Sequence, residues 1–363
     1  MKIIIFAGGA GRRLWPISRT KSPKQFEPII GSKSTLQLAI ERVLPLYGGE
    51  NIFVSTNQNY VEIVRQQLPE LPPQNIIGEP VRRDLAAAVG LAVTHLAHAA
   101  THPDEPFAIL WGDNYMENVA NFRQLLKTAE ILLQEQKAHL VFMGETPRFA
   151  NNNLGWIGLG DKAGAVNGHT YYHFQSLTYR PPLDVCQQMF TNRTHVWNTG
   201  YFVTTINFVQ QLYQQHQPEM WQKLTQIANT IGTPDYEATL EEIYGTLPAI
   251  SFDDAILQHI DPKDALVLHS EMGWSDPGTL YALKEALNPD PTANVTRGLV
   301  VTEQVTDSLV YNYQDGKLVA VVGVDGMIVV NTDDALLVVH KDQIPLVKKL
   351  VNGFEGTDLE PFS

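Results

Sequence analysis

The sequence predicts an α/β protein whose mostly parallel, Rossmann-like sheet is covered by helices on both faces and is followed by a small domain of short strands. Strand-like apolar runs alternate with helical patterns through most of the chain, as in doubly wound sheets. Two prolines and two polar turn formers interrupt this pattern at residues 287–291. Beyond them, short β-branched segments recur at nearly regular spacing, which is typical of stacked strands.

The predicted elements of the first part follow from apolar runs and from apolar residues at helical spacing. The strands are residues 3–7, 51–55, 75–77, 108–111 and 140–143. The helices are residues 36–44, 60–67, 86–100 and 122–135. Because ligands of such sheets collect at the carboxyl ends of strands, we expect the segments at Gly8, Glu79 and Asp113 to line one crevice.

The C-terminal part is predicted to contain five short strands. They are residues 298–302, 308–311, 318–322, 327–331 and 335–340. This spacing indicates either a β-helix-like stack or a sandwich. We therefore predict two domains, residues 1–288 and residues 289–363.

Composition restricts the class of protein. The chain has 363 residues, a formal net charge of −13 and a single cysteine. An acidic protein gains little from nucleic acid or an anionic membrane, because both attract basic surfaces. One cysteine permits no intrachain disulfide and suits a reducing compartment. No apolar stretch is long enough for a membrane span, so we expect a cytoplasmic protein with neither nucleic-acid nor membrane partners.

The first strand leads into a glycine-rich turn that carries cations. The glycines are Gly8, Gly9 and Gly11, and the cations are Arg12, Arg13 and Lys24. Glycine allows positive φ and lets backbone N–H groups approach an anion, while the cations supply the charge that a polyphosphate requires. The segment therefore predicts a site for a nucleotide phosphate chain. For the glycines alone, the alternative is an ordinary strand-to-helix turn with solvated basic residues.

The segment matches neither the P-loop nor the dinucleotide-binding pattern. Its residues 13–16, Arg-Leu-Trp-Pro, and 23–26, Pro-Lys-Gln-Phe, resemble the signature of the sugar-1-phosphate nucleotidyltransferases, most closely the mannose-1-phosphate guanylyltransferases. The resemblance covers nearly the whole chain. It favours the β-helix-like form of the C-terminal domain, because residues 326–338 and 348–351 resemble that family's C-terminal segment and closing helix.

The resemblance implies a nucleotidyltransferase that forms GDP-mannose and pyrophosphate from GTP and mannose 1-phosphate. GTP and a hexose 1-phosphate are then the expected partners, and a homodimer is the candidate assembly. Two alternatives stay open: a related transferase with another sugar or base, and a catalytically weak regulatory homologue that binds nucleotide sugars. Longer members carry an additional isomerase domain, for which this sequence offers no room, so isomerase activity is not expected.

The implied reaction needs groups that hold two anions in line and neutralise developing charge. By motif, the resemblance assigns a catalytic role to Arg13 and Lys24, and a catalytic and metal-binding role to Asp113 and Asp276. Carboxylates in two loops suit Mg²⁺ that retains several waters. Considered singly, each aspartate would be interpreted as a helix or turn cap.

The nucleotide site is expected to include the glycine-rich turn with Arg12, together with Glu79, Arg83 and Asp84. A carboxylate at Asp84 suits guanine, because it accepts hydrogen bonds from both N1–H and the exocyclic amine. The alternative is that Asp84 only caps the alanine-rich helix that follows it.

For the sugar phosphate, the resemblance assigns Gly155, Arg180, Asn198 and Asp253. The segments around Gly155 and Arg180 depart from the family pattern, since residues 151–154 read Asn-Asn-Asn-Leu and Tyr179 replaces a family carboxylate. A hydroxyl-reading pocket discriminates strongly between sugars, so this change bears on which sugar is used.

Overall fold

The computed structural model of the chain describes residues 1–9, 14–19 and 21–363. These residues form two compact units, neither of which is continuous in sequence. The first unit comprises residues 1–8, 39–112 and 116–274, and the second comprises residues 9–38, 113–115 and 275–363. The predicted division into residues 1–288 and 289–363 stays a prediction.

The described strands are numbered here in chain order. They are β1 Lys2–Phe6, β2 Ile52–Asn57, β3 Ile76–Glu79, β4 Pro106–Trp111, β5 Tyr115–Met116, β6 Leu140–Glu145, β7 Gly155–Val166, β8 His169–Tyr179, β9 His195–Thr205, β10 Ala265–Ser270, β11 Trp274–Ser275, β12 Val295–Arg297, β13 Val300–Glu303, β14 Leu309–Asn312, β15 Val319–Val322, β16 Met327–Asn331 and β17 Leu336–His340.

The α-helices are numbered in the same way. They are α1 Thr35–Tyr47, α2 Val61–Gln67, α3 Asp84–Ala99, α4 Val119–Gln134, α5 Leu183–Asn192, α6 Ile206–His216, α7 Pro218–Ala228, α8 Tyr236–Tyr244, α9 Phe252–Ala255, α10 Leu280–Leu287 and α11 Ile344–Asn352. Each strand and helix predicted for the first 143 residues is present, with ends within three residues of the predicted ones.

The first unit is built on a nine-stranded sheet with the order β3-β2-β1-β4-β9-β6-β10-β8-β7. Strands β3, β2, β1 and β4 run parallel, and β6 is parallel to β10. The α/β fold class is thereby confirmed. Because β1, β3 and β4 point the same way, their carboxyl ends lie at one edge of the sheet, which is where the sequence places its candidate ligand segments.

Strands β7, β8, β9 and β10 of this sheet have no counterpart in the predicted elements. Strand β9 lies between β4 and β6 and runs antiparallel to both. Strands β7 and β8 form a long antiparallel extension. Their sequences alternate exposed and buried positions only in part, so the apolar-run criterion did not detect them. The extension brings Gly155 opposite Asn198 on β9.

Helix α3 packs into the core of the first unit along almost its full length. Ten of its 16 residues are buried, and its small alanine side chains permit close packing. At Gly90, an added Cβ would lie 2.4 Å from a methyl group of Leu224 on α7. This close contact fixes the position of α3, and with it the position of Asp84 at its first turn.

The second unit contains the short strands of the C-terminal region. Strands β12, β14 and β16 are parallel neighbours, β17 is antiparallel to β16, and β13 pairs in parallel with β15. Inside the stack, the buried Asn331 donates to Asn312 on the neighbouring strand at 2.8 Å. Buried Lys284 on α10 contacts buried Asp307 at 2.7 Å, so an ion pair and not apolar contact alone joins this helix to the strands. The predicted stack of short strands is therefore confirmed.

Within the described ranges, no helix combines the length and the apolar composition that crossing a membrane would require.

Candidate active site

The glycine-rich turn begins directly after β1. Thr56 donates a hydrogen bond to the Ala7 carbonyl at 2.7 Å, which holds the strand end to β2. Gly9 has φ of +133°, a conformation that favours glycine, and none of the described residues has an atom within 4 Å of a Cβ added there. The glycine at position 9 is therefore required by backbone conformation and not by crowding. Gly11, Arg12 and Arg13 lie outside the described residues, so their predicted roles stay predictions.

Lys24 is placed between the two predicted metal ligands. It belongs to a short 3-10 turn, Lys24–Phe26, whose other two side chains are buried. Its Nζ lies 2.7 Å from Asp113 Oδ2 and 3.4 Å from Asp276 Oδ1. Burial lowers the pKa of Lys24, but the two carboxylates together outweigh this effect, so its pKa is raised above the usual value. The lysine is consequently a permanent cation at neutral pH.

The donor set around Lys24 suits a divalent cation. Asp113 and Asp276 reach the lysine from separate loops, and both side chains keep solvent access, at 28% and 45% exposure. The turn after Asp276 is closed by a hydrogen bond from Gly278 N to the Asp276 carbonyl at 2.7 Å. Mg²⁺ is commonly bound by one or two protein carboxylates with water and substrate phosphates in the other positions. These two residues fit that pattern without a third protein ligand.

Glu79 and Arg83, both predicted to bind nucleotide, make hydrogen bonds within the protein. Glu79 accepts a hydrogen bond from Ser55 Oγ at 3.1 Å and from Tyr244 Oη at 2.7 Å. Burial raises the pKa of Glu79, although these two hydrogen bonds oppose the shift. The guanidinium of Arg83 donates to the Gly245 carbonyl. Both side chains thus tie the end of β3 to the region around the end of α8, and their binding roles stay predictions.

The hydrogen bonding of Asp84 differs from that of an ordinary N-cap, and its predicted contact with guanine stays a prediction. Its φ is +64°, and its carboxylate accepts from the Leu85 amide at 2.8 Å, whereas an N-cap ordinarily accepts from the second or third helical amide. The Ala86 amide instead donates to the Ile250 carbonyl at 3.1 Å. Burial and the nearby charges of Asp254 and Asp84 raise the pKa of Asp253. Asp84 therefore interacts electrostatically with a residue predicted to bind the sugar.

Two residues that are predicted to bind the sugar line one small cavity. Asn198 and Asp253 both line it, and it encloses about 30 Å³. The remaining lining residues are Leu85, Val89, Ile109, Trp111, Phe142, Gly200, Phe202, Phe252 and Leu257. Asn198 Oδ1 accepts from the Gly200 amide at 2.9 Å, which leaves the side-chain NH₂ to donate. Gly155 is paired with Asn198 across the β7–β9 ladder, next to this cavity wall.

Arg180 is not among the residues that line this cavity. It follows β8 with a φ of +46°, and its Nε donates to the Asn153 carbonyl at 3.2 Å. Its guanidinium lies 5.1 Å from the ring centroid of the exposed Tyr179. The predicted contact of Arg180 with a sugar phosphate stays a prediction.

The sequence did not single out Glu145, which is a buried carboxylate with a raised pKa. This residue ends β6 and has a side chain that is only 1% exposed. Its carboxylate accepts from the amides of Met272 and Gly273 at 2.9 and 3.1 Å and from Arg148 at 3.0 Å. Burial outweighs these contacts and raises the pKa of Glu145 to about 7. A lone carboxylate at the end of an apolar strand is the signal that could have identified it.

The nucleotidyl transferase family matches residues 2–292, and a MannoseP isomerase/GMP-like beta-helix domain matches residues 300–353. The mannose-1-phosphate guanylyltransferase RfbM of Salmonella typhimurium strain LT2 is 30% identical over 98% of this chain and 72% of its own length. A mannose-1-phosphate guanylyltransferase of Salmonella muenchen is 30% identical over 96% of this chain and 72% of its own length.

Among solved structures, this fold is similar to a Thermus thermophilus protein described as a mannose-1-phosphate geranyltransferase. The TM-score is 0.85 at 28% identity, over 98% of this chain and 99% of the other. The similarity therefore extends through the nine-stranded sheet and the C-terminal strands alike.

Proposed function

The chain belongs to the nucleotidyl transferase family, among the mannose-1-phosphate guanylyltransferases, and on this premise we propose that it forms GDP-mannose and pyrophosphate from GTP and mannose 1-phosphate. The observation that carries the proposal is the position of Lys24 between Asp113 and Asp276. A cation beside two carboxylates that could hold Mg²⁺ is suited to neutralising the charge that develops during transfer of a nucleotidyl group.

In the proposed reaction, a phosphate oxygen of mannose 1-phosphate attacks the α-phosphorus of GTP. A new oxygen–phosphorus bond forms, the bond between the α-phosphorus and its bridging oxygen to the β-phosphate breaks, and pyrophosphate leaves with the bonding electrons. The nucleophile is already an anion at neutral pH, so no protein group has to accept a proton. The protein's contribution is to align the two anions and to stabilise charge.

Each group of residues has a separate part in this proposal. Lys24 stabilises negative charge on the reacting phosphates, as does Arg13. Asp113 and Asp276 would hold Mg²⁺, which would neutralise charge on the triphosphate. Asp84 would accept hydrogen bonds from guanine, and the glycine-rich turn with Arg12 would hold the phosphate chain.

On the sugar side, Asn198 offers a donor and Asp253 an acceptor at one cavity. These two side chains suit vicinal hydroxyls of a hexose, while Arg180 would pair with its phosphate. We also propose a cytoplasmic location, which the single cysteine, Cys186, supports.

Pyrophosphate release with four nucleoside triphosphates and several sugar 1-phosphates, at saturating Mg²⁺, tests the proposal. GTP with mannose 1-phosphate should give the highest kcat/KM. Higher kcat/KM with another pair would transfer the proposal to that pair, and release with none of them would overturn it. Asp113→Ala is the inactive reference. Asp315→Ala, at an exposed site in the C-terminal region, is the matched control that should keep full activity.

A further inference from the structure

We propose that Trp111 is a sugar-binding residue, an inference that rests on the proposed function. The apolar face of the hexose ring would pack on the indole while Asn198 and Asp253 bond its hydroxyls. Trp111 is the last residue of β4, half-buried, and lines the same cavity as those two residues. Ile109, two positions earlier on the same face of the strand, lines it as well.

The orientation of the indole is fixed by two neighbours. The ring of Phe6 on the adjacent strand β1 lies with its centroid 5.4 Å away at an interplanar angle of 41°. A Cβ added at Gly200 would lie 2.3 Å from Trp111 Nε1. Any side chain at position 200 would therefore displace the indole from β9. Gly200 also has φ of +72°, so both space and conformation require glycine there.

The polar groups beside the indole are placed to bind hydroxyls. Asn198 retains its side-chain NH₂ as a donor, because its oxygen is used by the Gly200 amide. Through the part of the chain that the structure describes, no side chain donates a hydrogen bond to Asp253. One donor and one acceptor that line the same cavity as an aromatic side chain suit a pyranose, since its hydroxyls surround a ring with C–H faces.

The size of the cavity limits what enters it. About 30 Å³ holds roughly one or two water molecules, which is too little for a six-membered ring. We therefore place the hexose ring outside this volume, against the half-buried indole. Only a single substituent, such as a hydroxyl or hydroxymethyl group, has room inside.

An aromatic surface also suits a purine, so the nucleotide is the competing occupant. The positions of the residues predicted to bind the nucleotide disfavour a purine in this cavity. Glu79, Arg83 and Asp84 are not among the lining residues of the cavity, whereas Asn198 and Asp253 are. The sugar is accordingly the occupant that the neighbouring chemistry favours.

Calorimetric binding of GDP-mannose and GDP to the full chain separates these occupants without requiring turnover. Trp111→Leu should weaken GDP-mannose binding about tenfold, as expected for loss of an aromatic contact, and change GDP binding less than twofold. Trp111→Phe should lose about threefold, because it keeps a smaller ring. Trp221→Phe, on helix α7 and not among the residues that line the cavity, is the matched control and should bind both ligands normally. Thermal unfolding checks that each variant is folded. If Trp111→Leu does not fold, the binding of the two ligands to Trp111→Phe tests the inference.

Equal weakening of GDP and GDP-mannose would place the nucleotide on the indole and overturn the inference. Unchanged binding of both ligands, or no gain from the mannosyl group in the unaltered protein, would also overturn it. The proposed function is judged separately by pyrophosphate release in the unaltered protein. Turnover of GTP with mannose 1-phosphate, combined with unchanged KM for the sugar phosphate in both Trp111 variants, removes only the inference. No turnover with any substrate pair removes the proposed function.

Discussion

Lys24 Nζ lies 2.7 Å from Asp113 Oδ2, which joins the second part of the N-terminal signature to the segment that follows β4. Lys24 follows the glycine-rich turn in sequence, and Asp113 lies two residues beyond the last residue of β4. Their contact combines a cation for phosphate with a carboxylate for metal.

Asp113→Ala and Asp276→Ala should each lower kcat by at least ~10²-fold, because each removes part of the charge clamp on the reacting phosphates. Steady-state pyrophosphate release at saturating Mg²⁺ measures the effect. The thermal unfolding midpoint should change little, since both side chains retain solvent access. Near-normal turnover in both variants would contradict the metal assignment.

Lys24→Ala should reduce kcat more than it raises KM for either substrate, if the ammonium meets charge that develops only as the α-phosphorus reacts. Lys317→Ala, which replaces an exposed lysine in the C-terminal region, is the control.

Arg13→Ala should reduce kcat as Lys24→Ala does, and Arg12→Ala should have only a small effect on kcat. An equal loss in both arginine variants would show that the choice of Arg13 is wrong.

Asp84→Asn separates the guanine contact from the cap. Asparagine keeps the acceptor for the Leu85 amide, so thermal stability should be nearly unchanged. If Asp84 binds guanine, the exchange of an acceptor for a donor should cost about 1–3 kcal/mol in transition-state binding of GTP. The ratio of kcat/KM for GTP and ATP reports this loss. Unchanged selectivity would mean that nearby backbone groups bind the guanine base and that Asp84 acts only as a helix cap.

Glu145→Gln should flatten the dependence of stability on pH. Glu145 titrates near 4.5 in the unfolded chain, and burial raises its pKa to about 7 in the folded protein. Between these values the folded state keeps a proton that the unfolded state has lost, so the free energy of unfolding falls as pH rises. Glutamine removes this contribution. Unfolding midpoints from pH 4.5 to 7.5 measure the slope, with the exposed neighbour Glu271→Gln as the control. An unaltered slope in Glu145→Gln would contradict the shifted pKa.

Local sequence determined the elements and the principal phosphate-binding candidates of this protein. Apolar runs and helical periodicity depend on neighbours along the chain, so β1, α3 and the short strands β14 and β16 were predicted within three residues. The N-terminal signature likewise identified Lys24, and motif resemblance supplied Asp113 and Asp276. Their meeting at one ammonium group is consistent with that interpretation.

Tertiary structure decided which side chains lie close together and which already form hydrogen bonds within the protein. The insertion of β9 between β4 and β6 places Gly200 beside Trp111 and Asn198, and the packing of α3 sets Asp84 near Asp253. Sheet order and helix packing depend on contacts between residues far apart in sequence, because burial of the whole core selects one register. No local pattern carries that information.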